Sequence, residues 1–128
     1  MSNKDEYNRS SLHYVCVDLP IEERASVISE LILNGDEVNA QDVNGWSPLH
    51  FAAQEGDLEV AKILLNAGAT IDLKDSNGNS PLWVAAMNSH QSEKVITLLL
   101  NNDADPKQKN DHGISPYEIA PEVFHSIQ

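Results

Sequence analysis

The sequence predicts an all-α solenoid of about four stacked helix-turn-helix units joined by β-hairpin loops. Asp42-Val-Asn-Gly-Trp-Ser-Pro-Leu-His50-Phe-Ala-Ala53 begins again as Asp75-Ser-Asn-Gly-Asn-Ser-Pro-Leu-Trp83-Val-Ala-Ala86, with Gly45 to Gly78 and Pro48 to Pro81 each 33 residues apart. A fixed period of that size marks a repeat array. Each copy also opens with Asn-Gly, which suits a tight turn, and continues with Ser-Pro, which suits a helix start. Apolar residues at helical spacing then follow in two runs per copy, so that each copy reads as a pair of helices.

Taken in order, residues 1–9 lack apolar periodicity and are expected to form a frayed end. Residues 10–41 form a degenerate capping copy. Leu12-His13-Tyr14-Val15-Cys16 echoes Leu49-His50-Phe51-Ala52-Ala53 without the Gly turn or the Pro, and Pro20 ends that helix because the residue before a proline is pushed out of the α region. From Glu22 to Leu33, Ala25, Ile28, Leu31 and Ile32 share one stripe, and Gly35 is the expected left-handed stop.

Residues 42–74 are the most complete copy. Asn44-Gly45 is expected to supply two positive-φ positions, Ser47 to cap a helix running to about Gln54, and Gly56 to break it. Leu58 to Asn66 follows as a second helix, apolar over a surface wide enough for a neighbour on each side. Residues 75–109 repeat this with two extra residues, because Gly78 to Gly113, Pro81 to Pro116 and Val60 to Val95 are each 35 apart. The insertion falls within residues 87–93, ahead of a helix expected over Ser92 to Asn101, and Asn102-Asp103 stands where the stop glycine would be. Residues 110–128 open as a fourth copy, but Pro121 interrupts it and leaves Val123, Phe124 and Ile127 to cover the preceding repeat. The chain reads as one domain over residues 1–128.

These residues closely resemble the ankyrin repeat, with its Asp-x-x-Gly turn, Ser/Thr-Pro-Leu-His helix start, Ala-Ala pair, Val-x-x-x-Leu-Leu helix and closing Gly-Ala. Residues 42–74 match almost in full, 75–109 match with Trp83 at the usual His position, 110–120 match in their opening and 10–41 mainly in their second half. The resemblance implies an L-shaped stack whose hairpins project to one side, a concave face that binds other macromolecules, and no catalytic activity. It places the contact positions on Val43, Asn44 and Trp46; on Ser76, Asn77 and Asn79; on Asp111, His112 and Ile114; and on Gln54, Glu55, Met87 and Asn88. It gives His50 a structural role, bonding between adjacent hairpins.

Trp46 stands out as a large amphipathic ring at an expected solvent-facing tip, the kind of residue that anchors interfaces, the alternative being that it packs on the adjoining hairpin. Trp83 is read as packing against a neighbouring first helix. Glu55, Asp57 and Glu59 form an acidic ridge at the helix linkage of the second copy, able to meet Lys or Arg from a partner or simply to start a helix.

Composition narrows the partner. Eight Lys plus Arg against twenty Asp plus Glu give a net charge of −12, which opposes nucleic acid and favours a basic protein surface. The spread is uneven: residues 1–41 hold eight acids and three bases, whereas 75–109 hold four and three. A single cysteine, Cys16, excludes an internal disulfide and lies in an apolar setting that suits a buried inert thiol. No apolar run nears the ~18 residues of a membrane span, and no leader is visible, so a cytoplasmic, monomeric protein without a membrane partner is expected. His13, His90, His112 and His125 lack metal-ligand spacing, and Asp75-x-Asn77-x-Asn79 fails as a calcium loop because Gly78 is fourth and Ala86 stands where the closing Glu belongs. No nucleophile with a base or phosphate-binding loop is present, so neither enzyme activity nor a cofactor is expected. The leading functional expectation is an inhibitor of a basic partner, similar to ankyrin-type immunity proteins that neutralise bacterial toxins; the alternative is an adaptor that recruits proteins without inhibiting them.

Overall fold

In the computed structural model, which describes residues 7–127, eight helices follow one another: α1 (Ser11–Asp18), α2 (Ile21–Leu33), α3 (Pro48–Glu55), α4 (Leu58–Asn66), α5 (Pro81–Met87), α6 (Ser89–Asn101), α7 (Pro116–Ile119) and α8 (Pro121–Ile127). No strand occurs among the described residues. The helices form two layers. In the inner layer α1 packs on α3, α3 on α5 and α5 on α7; in the outer layer α2 packs on α4, α4 on α6 and α6 on α8.

Local chemistry accounts for the helix boundaries. Ser47, Ser80 and Ser115 accept the backbone N–H of His50, Trp83 and Glu118, and a proline occupies the first helical turn each time. Leu12, Leu49 and Leu82 recur at one position and are almost wholly buried. The small pairs Ala52-Ala53 and Ala85-Ala86, also buried, let the inner helices approach closely. Val60 and Leu64 in α4, then Val95 and Leu99 in α6, fill the space between layers, and Phe124 closes the last repeat. The side chain of Ile127, expected to share that closing role, lies outside the described residues.

Four details differ from the sequence reading. Asn44 and Asn77 do not take positive φ; among the described residues only Asn8 and Asp103 do so besides glycine. Each turn is instead of the three-residue kind, in which one left-handed residue suffices: Gly45 N–H returns to Asp42 C=O at 2.9 Å and Asp42 N–H to Trp46 C=O at 2.9 Å, with only Gly45 left-handed. At the end of α6 the left-handed residue is Asp103, φ 69°, whereas Asn102 stays at φ −107°.

The insertion becomes helix. α6 begins at Ser89 instead of Ser92, and its added turn is bonded to the end of α3, where Ser92 Oγ donates to Ala53 C=O at 2.6 Å and Gln91 Nε2 to Gln54 C=O.

The frayed end expected over residues 1–9 lies outside the described residues at 1–6, and residues 7–9 are held in place. Tyr7 C=O accepts Val43 N–H at 2.7 Å, and Arg9 pairs with Asp42. The adjoining hairpins are joined in the same register, Ser76 N–H to Asn44 C=O and Asp111 N–H to Asn77 C=O. Residues 7–9 thus stand in for a first hairpin that lacks its glycine.

Candidate functional site

The row of hairpins is built from three repeated devices. First, the residue that opens each hairpin folds its side chain back onto the turn. Asp42 Oδ1 accepts the N–H of Asn44 and Trp46, Asp75 Oδ1 those of Asn77 and Asn79, and Asn110 Oδ1 those of His112 and Ile114. Second, a side chain from one hairpin bonds the opening residue of the next: Arg9 Nε to Asp42 Oδ2 at 3.2 Å and Trp46 Nε1 to Asp75 Oδ2 at 3.0 Å. In the third pair the direction reverses, Asn110 Nδ2 donating to Asn79 Oδ1 at 2.8 Å.

Third, a buried histidine ties helix start to hairpin. His50 Nδ1 accepts Ser47 N–H at 3.0 Å, which leaves the proton on Nε2 to donate to Asn79 C=O at 2.9 Å. His13 does the same between Ser10 N–H and Trp46 C=O. Trp83 occupies the third such position, and its indole N–H is buried with no hydrogen-bond partner among the described residues.

Burial lowers the pKa of both His13 and His50, against the opposing pull of the carbonyls Trp46 and Asn79 and of Asp42 and Asp75. Below about pH 6.5 the unfolded chain therefore binds protons that the folded chain refuses. Folding stability is expected to be level between about pH 7 and 8 as far as these two histidines are concerned, and to fall as pH drops through 6.5 toward 5. The slope per histidine is at most about 1.4 kcal/mol per pH unit. Urea titrations of the protein and of His50→Gln across pH 5–8 check this, the variant showing the shallower fall in that window.

Between the first two hairpins and the inner helices lies a cleft of about 410 Å³, lined by Arg9, Asp42, Asn44, Trp46, Phe51, Gln54, Asp75, Ser76 and Asn77. Trp46 forms part of its wall, stacked on His50 at 5.7 Å between ring centres and edge-on to Phe51 at 4.9 Å. The Arg9 guanidinium lies 5.2 Å from the centre of the Phe51 ring.

A family model described as ankyrin repeats, in three copies, matches residues 12–110. The chain belongs to the ankyrin repeat family. Among curated relatives it is 31% identical over 104 residues to the human "Ankyrin repeat, SAM and basic leucine zipper domain-containing protein 1", covering 69% of this chain and 22% of that protein. It is 38% identical over 102 residues to the protein of the same name from Echinops telfairi, covering 78% and 21%. The chain therefore spans about a fifth of the length of these relatives. Ankyrin repeats are protein-interaction modules from a non-catalytic family. Among the described residues no helix is long and apolar enough to cross a membrane, and no three His, Cys, Asp or Glu side chains are grouped to hold a metal ion.

In this ankyrin stack the expected contact positions divide into three groups. Val43, Asn44, Ser76, Asn77, Met87, Asp111, His112 and Ile114 are exposed, with Val43, Met87 and Ile114 at 58%, 57% and 40%. Gln54, Glu55 and Asn88 are half-buried, and the Asn88 side chain is occupied at the end of α5, its Nδ2 donating to Val84 C=O. Asp57 and Asn79 are buried and do not offer a contact surface. Asp57 caps α4 at the N–H of Val60, whereas Asn79 is bonded on its N–H, its C=O and its side chain.

The acidic ridge is also corrected. Arg24, 5% exposed, reaches Glu55 at 3.2 Å and Asp57 at 3.7 Å, so two of the ridge carboxylates already have a cation from within the chain. Trp46 is not a solvent-facing tip either; it is half-buried with its N–H committed to Asp75, so removing its ring would disturb hairpin packing as well as any contact. Cys16 is buried, and burial pushes its thiol up to about 12. Arg9 and Arg24 went unmarked in the sequence, and Asp75 was marked only as a turn residue, because the carboxylates that Arg9 and Arg24 meet and the indole that Asp75 meets lie 29–33 residues away. The one available signal was Ser10-x-x-His13 repeating Ser47-x-x-His50, which puts Arg9 in register with Trp46.

Proposed function

We propose that this chain is a non-catalytic module that binds a basic protein through its hairpin ridge and masks it, a toxin being one such partner. The reading is carried by one observation. The repeat satisfies the backbone of the hairpins and the side chains that open them internally, yet leaves Val43 and Ile114 exposed on the hairpins and Met87 exposed at the end of α5. Apolar side chains ringed by polar ones are what a protein contact needs. The net charge of −12 adds attraction for a cationic partner and speeds encounter. The proposed setting is the cytoplasm, with one chain per partner, no cofactor, and neither nucleic acid nor membrane involved.

A second reading, an adaptor, draws on a different surface. Leu33 at 86% and Ile21 at 65% are exposed at the two ends of α2, in the outer layer. An adaptor needs two separable surfaces, and the longer relatives combine, by name, ankyrin repeats with other domains.

The test captures partners from lysate with the native chain and with Val43→Ser/Met87→Ser/Ile114→Ser, at matched thermal midpoints. A basic partner recovered about tenfold less by the variant, and losing its own activity when bound, is the expected result. Equal recovery by the variant would overturn the ridge as the surface. A recovered partner whose activity is unchanged would establish the adaptor reading.

A further inference from the structure

We infer that the cleft between the first two hairpins receives an arginine side chain of the partner, its guanidinium against Asp75 and its stem across Trp46 and Phe51. This rests on the protein-binding reading above and gives that reading a recognition chemistry.

The repeat itself supplies the comparison. Three residues open hairpins: Asp42, Asp75 and Asn110. Each spends one side-chain oxygen on its own turn and offers its remaining atom to the preceding hairpin. Asp42 meets a cation there, Arg9 at 3.2 Å. Asn110 carries no charge and meets Asn79. Asp75 is the exception, a carboxylate only 8% exposed whose side-chain partners are the neutral indole N–H of Trp46 and two backbone amides. Among the described residues no cation pairs with it, and the adjacent Lys74 is exposed.

A buried carboxylate held by neutral donors gains from an approaching cation more than an exposed one does. The cleft reaches Asp75 and has room for a long side chain. Of its aromatic walls, Phe51 already takes one guanidinium, that of Arg9 at 5.2 Å from the ring centre, and the Trp46 ring stands beside it at 4.9 Å. Around the rim stand Asn44, Gln54, Ser76 and Asn77, whose side chains make no hydrogen bond among the described residues, so they are available to the flanking peptide groups.

The experiment follows the indole N–H signals of Trp46 and Trp83 in ¹⁵N-labelled protein, assigned with Trp83→Phe, during titration with N-acetyl-arginine amide or N-acetyl-citrulline amide at constant ionic strength. The two probes share shape but not charge. The expected result is a saturable shift of the Trp46 signal with the arginine probe, a still Trp83 signal, and loss of the effect with citrulline. Asp75→Asn should abolish it. Because that change touches the turn, Ser76→Lys serves as the second variant: it is exposed, keeps its backbone bond to Asn44, and sets a competing cation at the rim. Equal shifts with both probes, or an arginine shift that survives Ser76→Lys, would overturn the inference. A captured partner that binds Ser76→Lys as well as the native chain would also overturn it while leaving the protein-binding reading intact. Arginine binding with no protein partner lost by the ridge variant would do the reverse.

Discussion

Arg24→Met is expected to cost about 3–5 kcal/mol of folding stability, the range for breaking a buried ion pair by removing one member. The side chain sits on the first turn of α2 and makes four separate attachments. Nε donates to Leu19 C=O at 2.7 Å, Nη2 to Val17 C=O at 3.1 Å, and Nη1 to Glu55 at 3.2 Å, with Asp57 at 3.7 Å. Val17 and Leu19 lie at the end of α1, where carbonyls have no intrahelical partner. A single guanidinium therefore closes the C-terminus of α1 and neutralises the carboxylate that caps α4.

Methionine keeps much of the stem's packing but leaves two carbonyls and the Asp57 carboxylate short of partners. Glu55 is half-exposed and can return to water, whereas Asp57 cannot. Arg24→Lys should recover less than half the loss, because one ammonium cannot span donors aimed in three directions. Urea unfolding at pH 7 measures both variants. A loss below about 1 kcal/mol for Arg24→Met would mean that the pair behaves as a surface bridge and that water reaches its acceptors.

Arg24 also shows where sequence reading stops. A charged residue near the start of an amphipathic helix reads as solvated, and nothing within α2 signals that its partners lie on α1 and at the α3–α4 link. Signals carried within a few residues were legible: Ser-Pro starts, glycine stops and apolar stripes placed α4 at Leu58–Asn66, and the 33-residue period identified the architecture. The turn type was missed at Asn44 because Asn-Gly fits two hairpin geometries, and the choice between them depends on pairing between Asp42 and Trp46. At the candidate site, Val43, Met87 and Ile114 were legible as positions the repeat leaves unused. Asp57 and Asn79 were not, since a polar residue at a hairpin or helix start looks the same whether it faces a partner or bonds its own chain. Arg9 was hidden for another reason. It does the job of Trp46 with unrelated chemistry, so similarity between residues could not reveal it.

Gly56→Ala is expected to be among the most damaging single changes at a glycine of this chain, about 2–5 kcal/mol when left-handed strain and steric overlap are combined. Gly56 sits at φ 68°, a conformation that costs a residue with a Cβ about 1–2 kcal/mol. Space is the larger problem. A Cβ there would stand 2.3 Å from Gln91 O and 2.9 Å from Gln91 C, both backbone atoms. Those atoms belong to the turn of α6 that the two-residue insertion adds, so the third repeat must move for the second to accept a methyl group. Moving it breaks the bonds from Gln91 and Ser92 to the end of α3.

Gly35 provides the internal control, with φ 96° and nothing within 4 Å of the place a Cβ would take. Gly35→Ala should show the backbone strain alone, about 1–2 kcal/mol. The difference between the two variants therefore isolates the packing of the inserted turn on α3. Urea unfolding gives the free energies, and amide exchange locates the effect: protection should fall across residues 89–92 in Gly56→Ala and stay unchanged in Gly35→Ala. Equal losses for the two variants would show that the inserted turn yields freely, and that the joint between the second and third repeats does not depend on it.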